Sequence, residues 1–209
     1  FIIMILNLFI RTLALNVTLY FATRFATGYG AAYIAAYTIA INLWFFGAFF
    51  IDGYASAGNI LSGKLFGGKA YHLLLKLSNK LIIYGLTIGV FLAVIGAIFY
   101  YPLGRLFSKD PEVLALFYDS FWIILIMQPL CALAFIFDGM FKGLGKMKFL
   151  RNVLLFSTSL VFIPILFWLD SLGYKLYGIF IALTFWIIAR GIPLIIKFRK
   201  IFMPLAQNN

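Results

Sequence analysis

Charged residues are scarce in this sequence of 209 residues. Asp, Glu, Lys and Arg together make up 11% of it, and only 6 residues are acidic, whereas a soluble globular domain averages about 25% charged residues. Hydrophobic residues reach 65%, and the mean hydropathy is +1.06. A soluble core of this chain length cannot enclose so much apolar surface. The sequence therefore predicts an integral membrane protein whose main partner is the lipid bilayer.

Cysteine and histidine are almost absent as well. Cys131 is the single cysteine and lies in an apolar run, which excludes a disulfide framework and any multi-cysteine metal site. His72 is the single histidine and lies among lysines in a predicted loop, so it is not placed to ligate a haem. The sequence also lacks a Walker-type phosphate loop and a His-Glu-x-x-His motif. We predict that the protein is not an enzyme and has neither a cofactor nor a metal.

The net charge of +11 does not indicate a nucleic-acid partner. The basic residues stand singly or in small groups between apolar runs, and no domain is free to dock on a duplex. Charge that flanks membrane helices on the cytoplasmic side explains them better.

Six apolar segments are long enough to cross a membrane, which takes about 20 helical residues. They cover residues 8–27, 31–62, 81–101, 113–141, 150–169 and 176–196. The second and fourth exceed the required length and are expected to tilt or to project beyond the bilayer. Residues 65–80 are basic and amphipathic and predict a surface helix or an ordered loop. The predicted fold is an all-α membrane protein in which residues 1–209 form one lobe of six transmembrane helices.

The basic residues also predict the orientation of these spans. Residues 63–80, 142–151 and 190–200 each hold four lysines or arginines. The alternate links together hold four basic residues, offset by three acidic ones. The positive-inside rule then places both chain ends in the cytoplasm, and we expect a bacterial inner (plasma) membrane.

Asp52 is the most informative acidic residue. No other charge lies between residue 31 and Lys64, and Asp52 precedes Ser62 by ten residues, or about 15 Å of helix. A carboxylate at that depth costs at least about 2.5 kcal/mol, and such residues usually face a bundle interior or a water-filled path. We favour a role in proton or ion coupling over a purely structural, hydrogen-bonded carboxyl.

Asp138 repeats the Asp-Gly pattern of Asp52, at a different depth. It lies four residues before Lys142, so an ion pair on one helix face at the cytoplasmic edge is expected, and we favour that structural interpretation over coupling. The glycines that follow the two acids, Gly53 and Gly139, allow helices to approach closely or to unwind locally. Arg11 is close enough to the start of its span to reach the cytoplasmic surface.

Three polar amides are candidates for lining a cavity. Asn16 and Asn42 lie where a polar cavity between the first two spans would need them, although such residues more often bridge helices. Gln128 precedes Pro129 and is expected to satisfy the backbone carbonyl that the proline leaves unpaired. Proline also interrupts the fifth span at Pro164.

Two sequence blocks resemble a known family. The first comprises residues 35–44 and 50–55, followed by Gly63 and Gly67; the second comprises residues 137–141, followed by Gly143, Met147 and residues 151–152. Together with Asn7 and residues 11–12, they resemble the C-terminal half of a DinF-like transporter of the multidrug and toxin extrusion (MATE) family. The resemblance extends across essentially the whole chain.

The resemblance implies a twelve-helix antiporter built from two six-helix lobes that face each other across a cleft. Such proteins export small cationic or amphipathic compounds in exchange for H+ or Na+. The family's Asp-Gly positions in its eighth and tenth helices correspond to Asp52 and Asp138, which makes both candidates for ion coupling. Tyr37 stands where the family usually carries Asn and is a further cavity-lining candidate. The N-terminal lobe is absent from the sequence, and Phe1 in place of Met leads us to expect a fragment.

Two other functions are compatible with the sequence. A flippase for lipid-linked precursors of the same superfamily would need a strongly basic cleft, and the spans offer only Arg11 and Arg190, both near their ends. A membrane half-protein with no transport activity of its own is the third possibility.

Overall fold

Helices account for nearly all of the chain in the computed structural model, which describes residues 2–207. The expectation based on Phe1 therefore concerns a residue outside the described range. The helices within that range are α1 (Ile2–Tyr29), α2 (Ala31–Gly67), α3 (Tyr71–Ile98), α4 (Tyr100–Phe107), α5 (Pro111–Gly143), α6 (Met147–Phe156), α7 (Ile163–Ser171) and α8 (Lys175–Gln207).

Six of these helical stretches are long and apolar enough to cross a membrane, which confirms the predicted number. Five of them are α1, α2, α3, α5 and α8, and α2 is the longest, with 37 residues. The fifth in chain order is the continuous helix Met147–Ser171, in which a π-helical stretch (Ser157–Phe162) joins α6 to α7. The chain therefore has the predicted all-α membrane fold.

The π-helical stretch lies directly before Pro164. A proline inside a helix cannot donate the usual backbone hydrogen bond, and its ring crowds the preceding turn. The helix is widened to a π-helix over the turn that precedes this proline, and π-helices occur mostly as such single turns inside α-helices. The regular α-helix is therefore interrupted next to Pro164, as predicted, while the helical span as a whole continues to Ser171.

The prediction for residues 65–80 was also wrong. The helix α2 continues to Gly67, and α3 already begins at Tyr71, so the link between the two spans is short. Leu74, Ser78 and Leu81 are buried at helical spacing, while Lys76 and Lys80 are exposed. The amphipathic pattern therefore belongs to the first turns of a crossing helix and not to a separate surface element.

The central helix is α5, which packs against α2, α3 and α8. Two of its glycines make the approach of α2 possible: a Cβ atom on Gly139 would collide with the carbonyl oxygen of Ala55, and one on Gly143 with that of Asn59. This spacing of four residues is the small-residue packing expected between membrane helices. The expectation of close approach is confirmed for Gly139 and wrong for Gly53, around which no atom lies within 4 Å of an added Cβ.

Candidate functional site

A cluster of three cations surrounds the Asp138 carboxylate. Arg11 donates from Nη2 to both carboxylate oxygens, at 2.6 Å each. Lys142 Nζ lies 2.9 Å from Oδ2, and Arg190 Nη2 lies 3.6 Å from Oδ1. The cluster joins three helices, because Arg11 lies on α1, Asp138 and Lys142 lie on α5, and Arg190 lies on α8. Arg11 and Asp138 are 127 residues apart in the sequence.

The predicted ion pair between Asp138 and Lys142 is confirmed, but its surroundings differ from the expectation. The Asp138 side chain is only 8% exposed, and that of Arg11 is 10% exposed. Arg11 therefore does not extend to the membrane surface, as we had expected, because its guanidinium is bound to a carboxylate inside the lobe. A buried charge is retained only where it is paired, and this pairing explains why α1 carries an arginine within an apolar helix.

Arg190 lies inside the lobe as well. Its side chain is 5% exposed, and its guanidinium carbon lies 5.3 Å from the ring centroid of Phe135 and 5.0 Å from that of Trp186. Cation–π contacts of this kind stabilise a guanidinium without using its N–H donors. The distance of 3.6 Å to Asp138 exceeds normal hydrogen-bond length.

Hydrogen bonds behind the cluster hold the aromatic residues in place. The indole nitrogen of Trp186 donates to Thr158 Oγ1 at 3.1 Å, and that oxygen lies 3.0 Å from Thr18 Oγ1. Thr158 belongs to the π-helical stretch, so the adaptation at Pro164 also positions the partner of Trp186. On the other side, the indole nitrogen of Trp44 lies 3.1 Å from Cys131 Sγ.

The cluster opens onto a cavity of about 390 Å³ that is lined by α1, α2, α5 and α8. Its charged lining residues are Arg11, Asp52, Asp138, Lys142 and Arg190. Aromatic rings form much of the remaining wall and come from Trp44, Phe45, Phe49, Phe135 and Trp186. A cavity of this size, apolar with a few convergent charged groups, is typical of a binding site for a small molecule.

Asp52 and Asp138 line the same cavity but have different surroundings. Asp138 is saturated by cations, whereas Asp52 is exposed and lies within 4.0 Å of no cationic group in the part of the chain that the structure describes. The carboxylate of Asp52 is therefore free to bind a proton, a metal cation or a cationic group of a ligand.

Of the two asparagines predicted to line the cavity, one does so in the structure. Asn16 lines the cavity, and its side-chain amide donates to the Thr12 carbonyl at 2.9 Å. Asn42 does not line it and instead bonds to the carbonyl of Thr38, on its own helix. The expectation of a cavity between the first two spans that uses both asparagines is therefore correct only for Asn16.

Tyr37 and Gln128 are buried away from the cavity, which contradicts their predicted role. The Tyr37 ring stacks on Phe180, with centroids 6.1 Å apart. Gln128 packs against Gly47, and its Oε1 atom has no hydrogen-bond partner among the described residues. The carbonyl that Pro129 leaves unpaired needs an N–H donor, and no hydrogen bond from the Gln128 side chain to a backbone carbonyl is found among the described residues, so that expectation is not supported either.

Sequence reasoning missed the contribution of Arg11 and Arg190 to the site. Neither ion pair with Asp138 has a local signal, because the partners lie on three different helices. The available signal was the rarity of charge inside spans: an arginine in an apolar helix needs a counter-ion, and Asp138 was a candidate at comparable depth.

A model of the MatE family matches residues 4–168. Among curated relatives, Protein DETOXIFICATION 45, chloroplastic, of Arabidopsis thaliana is 27% identical over 139 residues, which cover 66% of this chain and 25% of the relative. Protein DETOXIFICATION 42 of the same plant is 29% identical over 154 residues, which cover 73% of this chain and 29% of the relative. The chain thus spans well under half the length of the curated relatives that it matches.

Solved transporters share the fold. The Vibrio cholerae MATE transporter VcmN in the bent form superimposes with a TM-score of 0.82 at 19% identity, covering 93% of this chain and 44% of the transporter. A MATE protein in the bent conformation gives a TM-score of 0.85 at 17% identity, covering 97% of this chain and 45% of that chain. An outward-facing multidrug resistance MATE family transporter of the MOP superfamily gives 0.83 at 17% identity. At these identities the likeness concerns the fold alone.

Proposed function

Since the chain belongs to the MatE family, we propose that it forms one six-helix lobe of a secondary exporter. The six crossing helices correspond to slightly less than half of each solved transporter, which supports a second lobe of similar size across the open face of the cavity. Alternating access in such proteins requires two bodies that rock against each other around a central site. In this proposal residues 1–209 form one of the two bodies, and both ends of this lobe lie on the cytoplasmic side.

Asp52 carries the coupling proton or cation in this proposal. The main observation behind this role is that Asp52 lines the cavity without a cationic partner among the described residues, whereas Asp138, in the same cavity, is paired with three cationic side chains. A carboxylate that is already paired in this way has little capacity for a further cation. Asp138 therefore positions Arg11, Lys142 and Arg190 in this proposal and does not itself carry the coupling ion.

The proposed cargo is a small cationic or amphipathic compound. Asp52 offers a negative charge and Asn16 an amide, while the rings of Trp44, Phe45 and Phe49 offer apolar surface and cation–π contacts on the same wall. The plant relatives called DETOXIFICATION proteins and the solved transporter described as a multidrug resistance protein favour export over lipid flipping. Their match does not distinguish a DinF-like branch, which stays a prediction.

Transport by the purified protein in vesicles tests this proposal. We expect uptake of the cationic dye ethidium when a pH gradient or a sodium gradient is imposed, and the gradient that works identifies the coupling ion. Asp52→Asn should lower the rate at least about 10-fold, because it removes the only free carboxylate of the described cavity lining. Asp119→Asn is the matched control, since Asp119 is an exposed carboxylate on α5 outside the cavity lining.

Two results would contradict parts of the proposal. If Asp52→Asn and Asp119→Asn transport the dye at the same gradient-driven rate, Asp52 has no coupling role. If the residues 1–209 alone transport as fast as the protein at its native length, the need for a second lobe is wrong. A complete lack of transport by the isolated lobe is the result that we expect.

The proposed orientation has its own test. Cys131 is buried, so we expect it not to react with an impermeant maleimide from either side, and single cysteines introduced within residues 1–209 can be compared with the unmodified protein as the background. Lys109→Cys, in the link between α4 and α5, should be labelled in intact cells. Lys69→Cys, in the link between α2 and α3, should be labelled only after the membrane is opened. The reverse pattern would place the chain ends outside.

A further inference from the structure

A second hollow, at one end of the lobe, is separate from the cavity that contains Asp52 and Asp138. It is a groove of about 650 Å³ between the first turns of α1, the link from α5 to α6, the first turns of α6, and α8. It shares no lining residue with that cavity. Its α8 residue, Lys197, lies about 33 Å of helix beyond Lys175, which is about the thickness of the hydrocarbon layer. The groove therefore lies where the crossing helices leave the bilayer.

Three lysines line this groove, and we call it the basic groove after them: Lys146, Lys148 and Lys197. All three are exposed, and none has a carboxylate within 4.0 Å in the described range of the chain. All six acidic residues of the sequence lie outside the lining, and the one on α5 nearest in sequence, Asp138, is already paired with other cations. The helix dipole of α6, which begins in the same wall, adds to the positive potential.

Arg151 fixes two amide side chains in the wall of the basic groove. Its Nη1 donates to Asn7 Oδ1 at 2.6 Å, and its Nε and Nη2 donate to Asn152 Oδ1 at 3.0 and 2.7 Å. Because a guanidinium can only donate, each amide turns its oxygen toward Arg151 and its nitrogen away. The Asn7 nitrogen donates to the Ile3 carbonyl at 2.7 Å, whereas the Asn152 nitrogen makes no hydrogen bond to a described residue. Asn152 therefore offers N–H donors to an anion in the groove.

The basic groove also has an apolar side. Ile3 and Met4 line it and are 66% and 40% exposed, and Lys197 Nζ lies 5.9 Å from the ring centroid of Phe149, which lines it as well. A free phosphate compound gains nothing from this apolar surface, whereas a phospholipid brings acyl chains to the same place as its phosphate. Basic pockets between membrane helices, at the level of the membrane surface, are known to bind the head groups of anionic lipids.

We propose that the basic groove binds the head group of an anionic phospholipid. The three lysines surround the phosphate, Asn152 donates to it, and Ile3 and Met4 contact an acyl chain. A lipid in this position connects α1, α6 and α8 at one end of the lobe. The inference requires only that these helices cross a membrane, and it is independent of the cargo and of the coupling ion.

A matched pair of lipids tests the site. Dioleoyl phosphatidylglycerol and dioleoyl phosphatidylcholine have the same acyl chains, and only the first has a net negative charge. Native mass spectrometry of the purified protein at its native length, in a mild detergent, measures the apparent Kd for the first bound lipid. We expect phosphatidylglycerol to bind at least about 10-fold more tightly, because each lysine near the membrane surface favours an anionic lipid. Equal affinities for the two lipids would overturn the proposal.

Two triple variants separate the basic groove from the general effect of positive charge. The groove variant combines Lys146→Gln, Lys148→Gln and Lys197→Gln and should lose most of the preference for phosphatidylglycerol. The control variant removes the same charge from exposed lysines on α2 and α3, outside the groove, and should keep the preference; it replaces Lys64, Lys76 and Lys80 by Gln. If both variants lose the preference equally, or if the folded groove variant keeps it, the proposal is wrong.

Asn152→Asp tests the same wall without removing a lysine. The new carboxylate still accepts from Arg151, so the wall is expected to stay folded, but the amide donor is lost and a negative charge faces the phosphate. We expect the affinity for phosphatidylglycerol to fall at least about 5-fold and that for phosphatidylcholine to change little. Asn79→Asp, at an exposed position on α3 outside the groove, is the control. An Asn152→Asp variant that binds phosphatidylglycerol as tightly as the control would contradict the proposal.

Two further comparisons separate the lipid from a free phosphate and the lipid site from the proposed function. Glycerol phosphate, which has a phosphate but no acyl chains, should not displace phosphatidylglycerol even in large excess. Displacement at equal concentrations would identify a soluble phosphate compound as the ligand and would overturn the lipid site. Asp52→Asn should keep the preference for phosphatidylglycerol while it loses coupled transport. A failure of coupling therefore leaves the lipid site standing, and a failure of lipid binding leaves the role of Asp52 standing.

Discussion

The Asp138 cluster predicts a large stability difference between two aspartates that share one cavity. Asp138→Asn removes a carboxylate that is in contact with Arg11 at 2.6 Å, Lys142 at 2.9 Å and Arg190 at 3.6 Å. At an effective dielectric constant of about 20, the gross attraction is about 6 kcal/mol for the shortest pair and about 5 kcal/mol for the longest. Desolvation of the ions offsets much of this, at several kcal/mol per ion.

The net effect is set by what remains after the substitution. Removing one partner of a buried ion pair typically costs about 3–5 kcal/mol, because the other charges stay buried without compensation. Asp52→Asn, in contrast, removes an exposed carboxylate with no cationic partner among the described residues, and we expect a change within about 0.5 kcal/mol. Both substitutions replace Asp by Asn, so the difference between their effects on the free energy of unfolding reports the surroundings of the two carboxylates.

Equilibrium unfolding in detergent micelles, followed by tryptophan fluorescence, measures both variants. Trp44 and Trp186 report directly, since both line the cavity next to the cluster. We expect Asp138→Asn to lose at least about 3 kcal/mol relative to Asp52→Asn. Equal free energies of unfolding for the two variants would refute the reasoning, because they would mean that the three cations contribute nothing net through Asp138.

Further predictions follow from the packing. Gly139→Leu should prevent the approach of α2 and abolish the folded state, because a Cβ atom there already collides with the Ala55 carbonyl; recovery of a monodisperse, folded variant would contradict this packing. Gly53→Ala, where no atom lies within 4 Å, should be tolerated and should stabilise the helix by up to about 1 kcal/mol in the same unfolding assay. Thr158→Val should cost about 1–3 kcal/mol, because the indole nitrogen of Trp186 loses its acceptor, and an unchanged unfolding curve would argue against that hydrogen bond.

The fold was largely predictable because membrane helices are specified by local composition. The number of spans follows from apolar length, which the bilayer thickness fixes. The boundaries were less predictable where a basic, amphipathic stretch continued a crossing helix, as in α3 after Tyr71. Lysines at the end of a span give the same sequence pattern as a surface helix, although the buried face of α3 includes Leu74 and Ser78.

The site was predictable in part, for a physical reason. Asp52 and Asp138 are recognisable because a carboxylate in an apolar span is expensive, and that cost is visible in the sequence. The assembly of Arg11 and Arg190 around Asp138 depends on how α1, α5 and α8 pack, which no local pattern records. Tyr37 and Gln128 were misplaced for the same reason: a polar residue in a span faces either a cavity or another helix, and only the packing decides.

Proton release on cargo binding tests the central claim, that Asp52 couples ions to cargo within this cavity, most directly. The protein at its native length, in weakly buffered detergent solution, is mixed with ethidium while a pH indicator is followed. If the coupling ion is a proton, we expect release with the unmodified protein and with Asp119→Asn, and none with Asp52→Asn. If the coupling ion is sodium, we expect ethidium to displace bound ²²Na⁺ from the unmodified protein and from Asp119→Asn, and not from Asp52→Asn. Undiminished ion release by Asp52→Asn would contradict the account.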